Sequence, residues 1–182
     1  MEGLSYVPYF VAEPEERELL EAVDAESWRN DLKRRVQHYG YQYDYRARSV
    51  DPSMYLGPLP SWAQKIVARL VSAGHFLSPP DQLIVNEYLP GQGISPHIDC
   101  EPCFEEHIAS LSLGSQCLMD FEEAGGGECL SIVLEPRSLL VFAGEARYEW
   151  TYGIAARKSD LIGGHRVTRT RRVSFTFRTI IV

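Results

Sequence analysis

The stretch RRVSFTFR, residues 171–178, alternates polar and apolar side chains at every second position. On a β-strand, this period of two sends Val173, Phe175 and Phe177 to one face of the sheet. The polar side chains on the opposite face are Arg172, Ser174, Thr176 and Arg178. Two arginines on an inner face are costly to bury unless an anion meets them. The stretch therefore predicts a strand whose inner face binds an anion.

Similar short runs fill the chain from residue 82 onward, separated by Gly, Pro and acidic turns. They read LIVNEYL, HIASLSLG, CLMDFEE, CLSIVLE and SLLVFAG. Strands at a spacing of about 8–12 residues are typical of a β-sandwich or barrel. Upstream, the apolar spacing predicts helices over 13–23 and 59–73, and a strand over 36–45. We therefore expect a mainly β fold with flanking helices (α+β), namely a jelly roll on which N-terminal helices pack.

The length and composition limit the classes of protein that the chain can represent. Its 182 residues suit one domain, with helices in 1–80 and a jelly-roll core in 81–182. The start lacks a secretory signal, and no stretch has the roughly 20 apolar residues that span a bilayer. We expect a monomeric protein of the cytoplasm or nucleus, without membrane association. Four cysteines do not make a disulfide scaffold, so reduced thiols are predicted.

The net charge does not decide whether the protein binds nucleic acid. The formal charge of −7 would disfavour nucleic acid, but the acidic residues crowd residues 13–26 and arginines crowd 166–172. A local basic surface is therefore compatible with the sequence.

The tripeptide HID, residues 97–99, is a candidate metal motif. His97 and Asp99 leave the same face of a strand and would make two-thirds of a 2-His-1-carboxylate facial triad, which leaves open positions on iron. A surface His and Asp without a metal role is an alternative. A second alternative is a structural zinc site with the spacing H-x2-C-x2-C-x3-H, formed by His97, Cys100, Cys103 and His107.

The arginine pair favours iron over zinc, because guanidinium groups suit a dicarboxylate ligand. Asn86 and Tyr88, two apart in NEY, offer an amide and a phenol from one strand face. Together with Arg172 and Arg178, they predict a polar ligand pocket inside the sandwich.

Several motifs in order resemble the AlkB family of Fe(II)/2-oxoglutarate dioxygenases. They are NEYLPGQGISPHID, SLSLGS, LEPRSLLVFAGEARYEW, GIAARK and RRVSFTFR. Upstream, KRRVQHYGYQYDY resembles the AlkB-like domain of the tRNA wobble-uridine modifying branch. The resemblance implies a double-stranded β-helix, the cofactors Fe(II), 2-oxoglutarate and O2, and a nucleic-acid substrate in DNA repair or tRNA modification.

The resemblance also implies roles for individual residues. It makes His97 and Asp99 iron ligands with a catalytic role. The implied 2-oxoglutarate-binding residues are Asn86, Tyr88, Arg172, Ser174 and Arg178. Glu101 stands where the bacterial repair enzyme has an acidic base-recognition residue. The implied chemistry is hydroxylation or oxidative dealkylation of a modified base in RNA or DNA.

Position 152 departs from the family pattern. The family has a histidine as third iron ligand in W-x-H-G-I, whereas this chain reads EWTYGI and places Tyr152 there. Tyr152 would ligate iron as a phenolate, or stand beside a two-ligand site completed by water, or be an introduced change in a competent enzyme. With no metal role for Tyr152, the protein would be a catalytically impaired module that binds 2-oxoglutarate or RNA.

A basic and aromatic stretch is the candidate nucleic-acid surface. Lys33, Arg34 and Arg35 precede a row of tyrosines at period two, namely Tyr39, Tyr41, Tyr43 and Tyr45. Cations suit phosphates and rings suit stacking on a flipped base. Packing within a half-buried sheet is the alternative explanation for the tyrosine row.

Overall fold

The computed structural model describes residues 1–30 and 32–181 of the chain. The helices are α1 (Glu13–Asp24), α2 (Ser61–Ser72) and α3 (Gly144–Tyr148). The strands are β1 (Leu4–Val7), β2 (Arg35–Tyr39), β3 (Gln82–Tyr88), β4 (Ile94–His97), β5 (Phe104–Gly114), β6 (Cys117–Glu123), β7 (Cys129–Leu134), β8 (Leu139–Phe142), β9 (Trp150–Ile154), β10 (Ser159–Ile162), β11 (His165–Thr168) and β12 (Arg172–Ile180).

Two antiparallel sheets face each other. The major sheet has the strand order β1-β8-β5-β12-β3-β2 and the minor sheet the order β4-β9-β6-β7, while β10 and β11 form a separate hairpin. This arrangement confirms the predicted jelly roll. Strand β12 lies in the middle of the major sheet, with Ser174 opposite both Asn86 of β3 and Ser112 of β5.

The two predicted helices are confirmed, within two residues at each end. Both pack on the outer face of the major sheet, where Leu19, Ile66 and Leu70 share one apolar core with Phe175 and other outward residues of β12. A second apolar cluster lies between the sheets and contains Ile108, Phe121, Phe142, Trp150 and Ile154. Burial of these two clusters fixes the position of the inner face of β12.

The strand predicted over 36–45 is wrong beyond Tyr39, where β2 ends. Gly40 has a positive φ of 77°, and a Cβ at this position would collide with the carbonyl oxygen of Asp81. Only glycine adopts this conformation at such a close approach, so the chain turns. The four tyrosines consequently do not share a strand face.

The described residues include no helix that is long and apolar enough to cross a bilayer.

Candidate active site

A cavity of about 540 Å³ opens between the two sheets. The predicted alternation of β12 is confirmed, because its apolar residues lie under the helices while its polar residues line this cavity. The polar lining residues of the major sheet are Asn86, Tyr88, Ser110, Arg172, Ser174, Thr176 and Arg178. The minor sheet and its connections contribute His97, Asp99, Met119, Tyr152 and Ile154.

Asp99 lies at the centre of an ionic cluster. Its carboxylate accepts a hydrogen bond of 2.7 Å from Nε of Arg178, and its other oxygen lies 3.4 Å from Nε2 of His97. Burial alone would raise the pKa of Asp99, but the charge of Arg178 and the contact with His97 hold it below its usual range. Asp99 is therefore a carboxylate at neutral pH.

The tautomer of His97 follows from its second contact. Its Nδ1 lies 2.9 Å from the carbonyl oxygen of Ser95, which only accepts hydrogen bonds, so Nδ1 carries the proton. Nε2 is then the ring nitrogen that faces the Asp99 carboxylate, at 3.4 Å. Orientation of a histidine through its far nitrogen is common at metal sites.

Tyr152 faces His97 across the pairing of β4 with β9. The ring centroid of Tyr152 lies 4.8 Å from that of His97 and 4.7 Å from that of Phe142. The hydroxyl is buried and makes no well-formed hydrogen bond with the described residues. Burial raises the pKa of Tyr152 well above its usual value, and the negative charge of Asp99 raises it further. The side chain is a neutral phenol in the metal-free protein.

Two glycines allow β4 and β9 to approach closely. A Cβ at Gly153 would lie 2.8 Å from the backbone nitrogen of Pro96, and a Cβ at Gly93 would collide with the carbonyl of Ile154. Any larger residue would push the strands apart. The two glycines therefore hold His97 against Tyr152.

The opposite end of the cavity is built around Arg172, which is 3% exposed. Its Nη2 donates a hydrogen bond of 2.9 Å to Oγ of Ser112, whereas its Nε and Nη1 have no partner in the described protein. The ring of Tyr88 lies 5.2 Å from this guanidinium and 5.7 Å from that of Arg34. Nε of Arg34 also donates to Oδ1 of Asn86 at 2.8 Å, which leaves the amide nitrogen of Asn86 as a donor.

Arg147 is a residue that the sequence did not single out. It is fully buried, and its Nη1 and Nη2 donate to the backbone carbonyls of Asp99 and Cys100 at 3.0 and 3.3 Å. Arg147 thus fixes the turn that carries the Asp99 carboxylate. Its short helix, α3, shows no periodic pattern that would have revealed this contact.

The cysteine predictions need correction. Cys100 and Cys103 form a disulfide, so reduced thiols are found only at Cys117 and Cys129. The structure does not support the zinc alternative, because two of its four ligands, Cys100 and Cys103, are joined in this disulfide. Within the described residues, no three His, Cys, Asp or Glu side chains form a group that could hold a metal ion.

Some of the predicted substrate residues reach the cavity. Tyr43, Tyr45 and Arg34 line it, and the two tyrosine rings meet edge to face at 5.2 Å. Burial raises the pKa of Tyr45 to about 12. Arg48, from the loop between Asp44 and Ser49, also lines the cavity. No regular spacing in the sequence marks Arg48.

The other predicted substrate residues lie elsewhere. Tyr39 packs against Trp62 in the outer core and Tyr41 against Tyr55, with centroid distances of 5.3 and 5.0 Å. Arg35 forms an ion pair with Glu87 on the outer face of the major sheet. Glu101 is exposed in a short 3₁₀ turn, outside the cavity lining.

The residues present fit 2-oxoglutarate better than they fit a three-ligand iron site. The unpartnered N–H groups of Arg172 and Arg178 suit the carboxylates of a dicarboxylate. His97 and Asp99 are close enough to share one ion, since ligand atoms at about 2.0–2.2 Å from a metal lie within about 4.4 Å of each other. A neutral phenol at Tyr152 is a poor third ligand for ferrous iron.

Comparisons with known proteins agree with this fold. Residues 3–178 match the 2OG-Fe(II) oxygenase superfamily. The chain is 42% identical over 201 residues to the "Alkylated DNA repair protein ALKBH8 homolog" of Arabidopsis thaliana, covering 98% of this chain and 58% of that protein. It is 40% identical over 199 residues to the "tRNA (carboxymethyluridine(34)-5-O)-methyltransferase alkbh8" of Xenopus tropicalis, covering 98% of this chain and 32% of that protein.

A solved structure shares the fold at low sequence identity. It is titled "The structure of OsALKBH1" and superposes with a TM-score of 0.76 at 17% identity, over 97% of this chain and 96% of that one. The chain spans 58% of the length of the Arabidopsis relative and 32% of that of the Xenopus relative. The chain belongs to the 2OG-Fe(II) oxygenase superfamily and, within it, to the AlkB family, near the ALKBH8 proteins.

Proposed function

We propose that this protein is a 2-oxoglutarate-dependent oxygenase that hydroxylates or oxidatively dealkylates a modified base in RNA or DNA. One observation carries the proposal. One cavity holds the ionic cluster of His97, Asp99 and Arg178 at one end and the partly unpartnered guanidinium of Arg172 at the other. This arrangement suits a dicarboxylate bound beside a metal ion.

The names of the relatives support a nucleic-acid substrate. They refer to alkylated DNA repair and to a tRNA carboxymethyluridine. Because the chain spans 32% of the Xenopus relative, we propose only the oxygenase step for it, acting as a monomer in the cytoplasm or nucleus.

The cavity mouth supplies contacts for such a substrate. Tyr43 and Tyr45 offer ring faces and edges to an unpaired base, while Arg34 and Arg48 offer positive charge to its phosphates. Stacking on an aromatic ring tolerates any base. Selectivity for one modification therefore rests on the depth of the cavity, where Met119, Phe142 and Ile154 provide an apolar wall.

Each residue of the inner site has a separate task in this proposal. His97 and Asp99 would hold Fe(II), and Arg172 would anchor the far carboxylate of 2-oxoglutarate with Asn86, Tyr88 and Ser174 around it. Bound Fe(II) and 2-oxoglutarate supply the oxidising power from O2. The protein contributes orientation of the C–H bond and exclusion of water by the apolar wall.

Tyr152 favours a second candidate, namely a catalytically impaired module that retains 2-oxoglutarate and RNA binding. The observation behind it is that a buried phenol stands beside His97 at the position of the third ligand. Loss of one of three protein ligands weakens metal affinity while leaving the arginine end of the cavity intact.

One experiment separates the two candidates. The protein is mixed anaerobically with Fe(II) and 2-oxoglutarate, the visible charge-transfer band is recorded, and succinate is measured after oxygen and modified RNA or DNA oligonucleotides are added. Wild type should give the band, succinate and a mass change in the oligonucleotide. Arg172→Met is the matched negative control. If the wild type gives neither the band nor succinate, and Tyr152→His restores both, the impaired module would be established instead.

A further inference from the structure

Several buried hydrogen-bond donors that line the cavity have no acceptor in the described protein. Four buried donor atoms lining it have no partner in the described protein: Nε and Nη1 of Arg172, Nη1 of Arg178 and the hydroxyl of Tyr152. The other buried atoms without a partner belong to Gln82, Arg147 and Thr179, which do not line the cavity. A buried donor without an acceptor costs free energy. The cavity is therefore built for a ligand that carries acceptors at two ends.

The Tyr152 hydroxyl is held in place by its surroundings. The ring packs against the rings of His97, at 4.8 Å, and Phe142, at 4.7 Å, and the side chain is 6% exposed. The backbone is fixed as well, because Gly153 meets Pro96 closely. A hydroxyl fixed in this way presents one directed donor at the same end of the cavity as Arg178.

The negative charge of Asp99 does not repel an anion at this end. Its carboxylate is paired with Arg178 at 2.7 Å and contacts His97 at 3.4 Å. Arg178 keeps a further N–H, on Nη1, without a partner. This N–H and the Tyr152 hydroxyl line the same cavity, and each is a donor that suits a carboxylate or keto oxygen.

We infer that Tyr152 donates a hydrogen bond to the 2-oxo acid end of 2-oxoglutarate, so that the protein binds this cosubstrate without a metal ion. The inference rests on the proposed function, since it takes 2-oxoglutarate as the ligand. It adds a role for Tyr152 as a binding residue rather than a metal ligand. His97 and Asp99 would remain available to hold a metal ion beside the bound dicarboxylate.

Calorimetric titration with 2-oxoglutarate in EDTA tests this role. Wild type should bind in EDTA, and Tyr152→Phe should raise Kd roughly 10- to 100-fold, as expected for one hydrogen bond to a charged group. Tyr6→Phe is the matched control, because it removes a tyrosine hydroxyl that accepts a hydrogen bond from the backbone of Glu135, outside the cavity. Tyr152→His should bind weakly in EDTA and regain affinity when Mn(II) is added. Melting temperatures verify that each variant folds.

The outcomes separate this inference from the proposed function. If wild type binds only with Mn(II), or if Tyr152→Phe binds as tightly as wild type in EDTA, the role of Tyr152 is refuted and the proposed oxygenase stands. If wild type binds 2-oxoglutarate neither in EDTA nor with Mn(II), both fail. Binding in EDTA that depends on Tyr152, but without succinate formation, supports the inference and overturns catalysis alone.

Discussion

The two faces of strand β12 differ in whether their buried side chains find all their packing or hydrogen-bond partners. On the outer face, Phe175 and Phe177 are fully buried among the apolar side chains of the helices. On the inner face, Arg172 and Arg178 are also buried but have donor atoms without partners in the described protein. The outer face thus stabilises the fold, whereas the inner face gives up stability to keep a binding site ready. Substitutions on the two faces should change different properties.

The largest effect is expected for Phe175→Ala on the outer face. The side chain has no exposed surface and its ring lies 5.6 Å from that of Trp62. Truncation of a buried phenylalanine leaves a cavity, so the free energy of unfolding should fall by about 3–5 kcal/mol. Urea denaturation followed by circular dichroism measures it. A loss below about 1 kcal/mol would contradict the assignment of the outer face to stability.

The inner face should behave in the opposite way in Arg172→Met. Removal of a buried guanidinium with two unpartnered nitrogen atoms should leave the free energy of unfolding within about 1 kcal/mol of wild type, or raise it. The affinity for 2-oxoglutarate should fall roughly 100-fold, because hydrogen bonds to charged groups contribute about 1.5–3 kcal/mol each. Calorimetry and denaturation of the same sample separate the two readouts. If Arg172→Met lowered stability and affinity together, the assignment of the inner face to binding and the outer face to stability would be contradicted.

A smaller effect is expected for Arg147→Met, which removes the contacts to the backbone carbonyls of Asp99 and Cys100. Loss of a residue that orients a metal ligand typically costs about 10- to 100-fold in metal affinity. Mn(II) binding measured by electron paramagnetic resonance should show this loss. Arg147→Lys should recover part of it, because one ammonium can still reach a carbonyl. Full affinity in Arg147→Met at unchanged stability would show that Arg147 has no positioning role.

The smallest effect is expected for Glu87→Gln on the outer face of the neighbouring strand. Hydrogen bonds from Arg35 and Arg171, at 2.6 and 2.7 Å, lower the pKa of Glu87 from its ordinary 4.5. A lowered pKa stabilises the fold above pH 4.5, and this contribution is lost as the pH falls through the folded-state pKa. Since both arginines are partly exposed, we expect a loss of about 1 kcal/mol at pH 7.

The pH dependence provides the control for Glu87→Gln. The difference in unfolding free energy between variant and wild type should shrink below pH 4.5, where the carboxylate of the wild type becomes protonated. A difference that does not change between pH 7 and pH 3 would assign the effect to packing instead of charge.

The positions of residues that belong to a periodic pattern were predictable from the sequence. The positions of residues that reach the site through one tertiary contact were not. The alternation of β12 and the apolar spacing of α1 and α2 follow from periodicity, which burial enforces. The tyrosine row has a period of two as well, but the turn at Gly40 interrupts it. Arg147 and Arg48 reach the site through tertiary contacts, which leave no trace in local spacing.

Both edge strands of the major sheet come from the first 40 residues of the chain. Strand β1 forms one edge and β2 the other, so residues 4–7 and 35–39 flank four strands that come from residues 82–180. A shortened protein beginning at residue 81 would expose unpaired backbone along both β8 and β3, and open sheet edges invite intermolecular pairing. Such a fragment should aggregate. Strands β1 and β2, both from the first 40 residues, thus cover the backbone of β8 and β3 and protect the jelly roll from intermolecular pairing.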